Sequence, residues 1–277
     1  MSSPSPSVVL SIAGFDPSSG AGITADLLTI QNLSCFGISA LTSIVAQTPH
    51  TVSSQTPISS EILADQCQLL LESYPVSAIK IGLVATHEQA KLLGDLLANT
   101  SQPIVLDPVG LSSTGHRLQE LNTIPALLDK VGTPRTLLTP NRLEALALLH
   151  NSVDTSLSAA ELAELVSKQY SCSVLLTGGH EPSNEKQMTD TLYTKSSAVT
   201  FQAKTLQSSA SLHGTGCVLS SAIACGLARK LPLSDAITSA RTYLRQAFAA
   251  HYEFPPLQPQ IPPLLALNHH KKSSHDQ

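Results

Sequence analysis

Residues 213–217 read His-Gly-Thr-Gly-Cys, and an apolar, small-residue run from Val218 to Leu227 follows without a break. This is a glycine turn opening into a helix. The N–H groups of Gly214, Thr215, Gly216 and Cys217 converge where the helix dipole is positive, which suits an anion. Glycine has no Cβ, so the chain can approach a phosphate closely. Cys217 adds a thiol at a helix N-terminus, where its pKa can fall and its reactivity rise. A phosphate cradle beside a titratable group points to phosphoryl transfer. A glycine-capped core helix with Cys217 as a small hydrophobe explains the same segment taken alone.

Other candidate residues follow apolar runs. The loop Ala13-Gly14-Phe15-Asp16-Pro17-Ser18-Ser19-Gly20-Ala21-Gly22 can wrap a ligand, and Asp16 can meet a polar group; a turn with a helix cap fits equally. It is neither a Walker loop nor a clean dinucleotide fingerprint. The Gln47 amide can donate to and accept from an amine-bearing heteroaromatic ring. Asp107 closes the run Leu106-Asp107-Pro108-Val109. In Thr139-Pro140-Asn141-Arg142-Leu143-Glu144, Asn141 and Glu144 lie on one face of a helix start. Their oxygens suit Mg²⁺, which keeps several waters, while a capping box is an equally good reading. Thr177-Gly178-Gly179-His180 ends another strand in glycines, either a tight turn or a close approach to ligand.

The elements that must position these residues alternate. Strands are expected at Val8–Ala13, Ser39–Ala46, Ala78–Leu83, Ile104–Asp107, Thr136–Thr139 and Ser173–Thr177, mostly apolar on both faces as in a buried parallel sheet. Helices are expected at Gly22–Leu33, Ser60–Ser73, His87–Asn99, Arg117–Lys130, Arg142–Leu149 and Ala159–Gln169. A hairpin of Thr189–Thr194 and Ala198–Ala203 follows, then helices Thr215–Lys230 and Leu233–Tyr252. Alternation of this kind gives an α/β sandwich with a mostly parallel sheet, whose ligands sit beyond the carboxyl ends of the strands.

With 277 residues, 42% hydrophobic and 13% charged, the chain suits a single folded domain over residues 8–254. Residues 1–7 read as a disordered lead-in and 255–277 as a Pro-rich, His/Lys-bearing mobile tail. A net charge of −4 without an internal basic block argues against nucleic acid. Five cysteines, none in a Cys-x-x-Cys pair, argue against a disulfide framework or structural zinc. No signal-type segment or run of ~18 apolar residues is present, so a cytoplasmic protein away from membranes is expected.

In their order, these motifs, with Ala46-Gln47-Thr48 and Lys80-Ile81-Gly82-Leu83 among them, resemble the hydroxymethylpyrimidine/phosphomethylpyrimidine kinases of thiamine biosynthesis. The resemblance runs from Val8 to Tyr252. It implies a ribokinase-like three-layer α/β/α sandwich, ATP as donor, Mg²⁺ and a homodimer. The residues Gly214, Thr215, Gly216 and Cys217 would form the anion hole, with Cys217 where many ribokinase-like enzymes carry an aspartate base. Gly14, Asp16, Gln47 and Gly82 would line the pyrimidine pocket. Asn141 and Glu144 would organise Mg²⁺ and phosphates, with Asp107, Gly178 and Gly179 beside the nucleotide. This chain departs from the family at Phe15, Ser19 and Leu83, and lacks family lysines at Ser113 and Thr177. A cysteine-type pyridoxal kinase, whose substrate aldehyde could add to Cys217, is the rival with the same fold. A non-catalytic ligand-binding regulator is the rival from another class.

Overall fold

The apolar runs pair into one nine-stranded sheet in the computed structural model, which describes residues 5–110, 115–150, 153–178, 187–195, 197–204, 213–256 and 263–269. Its strands are β1 (Val8–Phe15), β2 (Phe36–Thr48), β3 (Thr51–Pro57), β4 (Val76–Ile81), β5 (Ile104–Leu106), β6 (Thr136–Leu138), β7 (Ser173–Leu176), β8 (Gln187–Thr194) and β9 (Ser197–Lys204). The helices are α1 (Gly22–Asn32), α2 (Ser60–Ser73), α3 (His87–Leu97), α4 (Thr123–Val131), α5 (Arg142–Leu148), α6 (Ala159–Tyr170), α7 (Thr215–Ala228) and α8 (Leu233–Ala249).

Strand order is β3-β2-β1-β4-β5-β6-β7-β8-β9. The six from β2 to β7 in that row are parallel, while β3, β8 and β9 each run antiparallel to the strand before them in sequence. From β1 the chain steps outward to β2 on one side, and β4 begins a series on the other side. Right-handed crossovers then force the connecting helices onto opposite faces. One face carries α2 to α6, packed on Leu10 and Ile12 of β1 and Ile79 and Ile81 of β4. The other carries α1, α7 and α8 over Val9 and Ala78. The result is the three-layer α/β/α sandwich expected, with its topological switch between β1 and β4.

Helix α7 is buried nearly all round, as a helix with no polar face must be. Its N-terminus lies at the carboxyl rim of the sheet, and it packs across β4, β5 and β1.

Three elements differ from the sequence reading. The expected helix Arg117–Lys130 begins only at Thr123. Pro125 fits only a first helical turn, and the residues before it are committed elsewhere: Leu118 N donates to Gly110 O, and Glu120 accepts from His87 N. The edge strand β3 was not anticipated, because Thr51-Val52-Ser53-Ser54-Gln55-Thr56-Pro57 is polar and shows no alternation. Part of the supposed mobile tail is folded. β10 (Tyr252–Phe254) pairs with β11 (Leu264–Ala266), Leu265 and Leu267 are buried against the α7–α8 layer, and Asn268 N donates to Ala247 O.

Candidate active site

Five loops and one helix start meet at the carboxyl rim. Gly214 takes φ 82°, and a Cβ there would run into the Gly20 carbonyl, so only glycine lets the turn lie against the loop after β1. No side chain caps α7 and no acidic residue stands in its first turn. The N–H groups of Thr215, Gly216 and Cys217 precede the first helical hydrogen bond, Val218 N to Gly214 O, and face the positive end of the dipole.

Asp107, just past β5, lies beneath this turn with its Oδ2 3.4 Å from Ser220 Oγ on α7. Gly216 of the turn lies against the same carboxylate, a Cβ there standing 3.5 Å from Asp107 Oδ2. Burial raises the Asp107 carboxyl to about 6, with the Lys80 charge opposing the shift. Cys217 does not rest as the thiolate that its helix-start position led us to expect. Burial pushes the thiol up to about 12, and the opposing charge of Lys80 and the Gly22 N–H do not overcome it. Desolvation outweighs the helix dipole here, so the resting group is a thiol.

Asn141 and Glu144 form a complete capping box at the start of α5: Asn141 Oδ1 accepts from Glu144 N at 3.0 Å, and Glu144 Oε2 accepts from Asn141 N at 2.9 Å. The capping reading is realised, and the box uses Oε2 of Glu144 without engaging Oε1. Burial, then the nearby Asp107 charge, pushes the Glu144 carboxyl up to about 8. A buried carboxyl next to another, in an all-oxygen set, fits a hard cation such as Mg²⁺.

Asp16 is brought to the site, but as a brace. Its Oδ1 accepts from Ser18 N and Ser18 Oγ, and Oδ2 accepts from Ala21 N and faces His213 Nε2 at 3.1 Å. Only 1% of the residue is exposed, and its carboxylate holds the loop. Gly14 is packed between Leu83 and Ser43 in the same loop.

Gln47 lies beyond the last β1–β2 pair, Phe15 with Ile44, on the part of the β2–β3 hairpin that projects over the rim. The register shifts between Ala46 and Gln47 because β3 carries one extra residue, Ser53, opposite them, and Gln47 keeps the face of Val45. Val45 anchors the hairpin on Leu83 and Leu118.

The glycines expected beside the nucleotide divide. Gly178 spends its N–H on Asp190 Oδ1 at 2.9 Å, and a Cβ there would run into the Thr189 carbonyl, so it joins β7 to β8. Gly179 and Ser113 lie outside the described residues. Thr177, where the family carries lysine, donates its N–H to Pro140 O, next to Asn141.

Sequence reasoning overlooked one buried cluster as part of the site. Lys80 lies in β4 behind Gly82, whose Cβ, if present, would stand 2.7 Å from the Lys80 Nζ. The ammonium bonds both oxygens of Asp26, at 2.9 and 2.7 Å, with both side chains fully buried. A lysine between apolar residues on a central strand was the available signal, since such a charge needs a partner inside.

A switch-point crevice, an anion-binding helix start and a buried acid beneath it define a ribokinase-like small-molecule kinase. The sequence profile of phosphomethylpyrimidine kinase matches residues 16–259, and the chain belongs to that family. It is 34% identical over 244 residues to the hydroxymethylpyrimidine/phosphomethylpyrimidine kinase of Rhizobium meliloti, covering 88% of this chain and 91% of that protein. Among solved structures it is similar to phosphomethylpyrimidine kinase from Clostridium difficile 630, with a TM-score of 0.73, 28% identity, and 87% and 98% of the two chains covered. It is also similar to an ADP complex of Bacillus subtilis pyridoxal kinase, with a TM-score of 0.81, 26% identity, and 96% and 98% covered.

Proposed function

We propose that this chain transfers the γ-phosphoryl group of ATP to the hydroxymethyl group of 4-amino-5-hydroxymethyl-2-methylpyrimidine, to the resulting monophosphate, or to both, in thiamine diphosphate biosynthesis. The observation that carries the reading is the uncapped start of α7 set over the buried Asp107 carboxylate, which lies beside Gly216 of the turn and 3.4 Å from Ser220 Oγ of the same helix. The amides of Thr215, Gly216 and Cys217 hold the moving phosphoryl group, which gathers little covalent assistance and much electrostatic stabilisation. Its acceptor oxygen loses a proton late. The O–H bond breaks toward Cys217 Sγ while the thiol's own proton passes to the Asp107 carboxylate, so one proton enters and one leaves the sulfur. Glu144 and Asn141 would hold Mg²⁺, which when bound neutralises triphosphate charge. No helix among the described residues is long and apolar enough to cross a membrane.

Pyridoxal kinase activity is the second reading, favoured by the closer superposition on the Bacillus subtilis enzyme. ADP release measured with hydroxymethylpyrimidine, its monophosphate and pyridoxal decides between them. A higher kcat/KM for either pyrimidine supports the proposal. Preference for pyridoxal overturns the substrate, and no ADP release with any of the three leaves the regulator reading.

A further inference from the structure

Asp26 gathers donors from three other elements: Lys80 Nζ of β4, Ser11 Oγ of β1 at 2.6 Å and Ser221 Oγ of α7 at 2.8 Å. All four residues are fully buried at the β1–β4 switch point. The neighbouring positions that face the same helix layer, Val9 and Ala78, are apolar and sit in its core. Packing alone would be served as well by apolar residues here, because a buried ion pair seldom adds net stability over a well-packed apolar one.

The cluster is joined to the phosphate turn by two helical rows. On α1, Asp26 lies one turn past Gly22, at the helix start whose Gly20 and Ala21 pack against Gly214. On α7, Ser221 lies one turn past Cys217 and bonds Asp26. The Asp26–Ser221 contact thus sits one turn below the place where the two helix starts meet. The groups facing Cys217 are Lys80 from β4, Asp107 after β5, and Asp26 with the Gly22 N–H from α1. In that set Lys80 is the cation, against two carboxylates.

We propose that Lys80, held by Asp26, is a positioning residue whose charge compensates the Cys217–Asp107 pair during proton transfer. This rests on the acceptor role given to Cys217 under "Proposed function". Of the charges facing the thiol, Lys80 acts most strongly and lowers its proton affinity, while Asp107 and Asp26 raise it. Removing Asp26 alone and removing both members of the pair should therefore act in opposite directions.

The test uses Asp26→Asn and the double variant Lys80→Met/Asp26→Asn, both near the native volume, with folding checked by circular dichroism. The first readout is iodoacetamide alkylation of Cys217 at pH 8 without substrates, followed peptide by peptide in a mass spectrometer. Asp26→Asn should alkylate about tenfold faster, the change that a tenfold larger thiolate fraction gives. The double variant should alkylate several-fold slower than the parent, lose kcat with little change in KM, and move the rate profile to higher pH. Equal rates, or acceleration in both variants, would show only a loosened core and overturn the proposal. Opposed alkylation rates together with normal turnover in Cys217→Ala would confine Lys80 to thiol reactivity and overturn the proton-transfer role instead.

Discussion

His213 Nε2 stands 3.1 Å from Asp16 Oδ2, so the glycine turn before α7 is tied to the loop after β1 by a nearly buried contact. Two segments nearly two hundred residues apart are thereby fixed as one wall of the site. The glycine turn would otherwise carry the entropy of a flexible loop.

Asp16→Asn should lower both stability and turnover. Burial by itself raises the Asp16 carboxyl, but the hydrogen bonds from His213 and Ser18 hold it below its ordinary 3.8. A carboxyl lowered in the folded state contributes stability above its unfolded pKa and loses it as pH falls through the folded value. The variant should lose about 1–3 kcal/mol at pH 7, the worth of charge-assisted bonds. The gap to the parent should close in melts run below pH 3.8. A constant gap at every pH would assign the loss to packing.

Asp107→Asn should do the reverse, trading activity for stability. Burial raises the folded carboxyl from 3.8 to about 6, so the folded state binds this proton more tightly than the unfolded chain does. Stability then falls as pH rises through that interval. At pH 7 the variant should gain on the order of 2–3 kcal/mol, and almost nothing at pH 4. Turnover should fall roughly 10²–10⁴-fold, as for Cys217→Ala, because both belong to one proton relay. Combining the two should cost little more than either alone. Additive losses would separate them into independent roles.

Glu144→Gln keeps most of the capping geometry, because an amide oxygen still accepts from Asn141 N. Stability should change by about 1 kcal/mol or less at pH 4. It should rise at pH 7, where the folded parent has to hold a buried carboxyl raised from 4.5 to about 8 that the unfolded chain ionises freely. The Mg²⁺ concentration for half-maximal rate should rise at least several-fold. An unchanged Mg²⁺ response with a shifted melting temperature would leave the capping box as the whole role of the pair.

Much of this architecture was legible from residue pattern. The runs Val8–Ala13 and Ile104–Asp107, apolar on both faces, require a parallel sheet, and Pro140-Asn141 with Glu144 marks a helix start. Less visible were features set by partners distant in sequence. Nothing local to Cys217 shows that Asp107 and Asp26 will be buried beside it, so the helix start alone suggested a lowered pKa when desolvation raises it. The bracing role of Asp16 was not legible, because one of its partners is a histidine 197 residues away. The Leu264–Leu267 run carries the apolar signal of a buried strand but is masked by the prolines before it.

We predict that Gln47 carries the choice of substrate. It sits near the end of the β2–β3 hairpin, beyond the last β1–β2 pair and on the same face as Val45. An amide can pair with a ring nitrogen and the exocyclic amine of an aminopyrimidine, whereas pyridoxal presents no such adjacent acceptor and donor. A site built for that pairing leaves its own polar atoms unpaired with an analogue that lacks it, which costs far more than a missing apolar contact. Gln47→Leu should therefore lower kcat/KM for hydroxymethylpyrimidine by roughly 10²-fold or more, with pyridoxal turnover little changed. The parent and variant need to be compared on both substrates at saturating ATP. Equal losses would make Gln47 a support of the hairpin, and specificity would then have to be sought at Phe15 and Leu83, where this chain departs from its family.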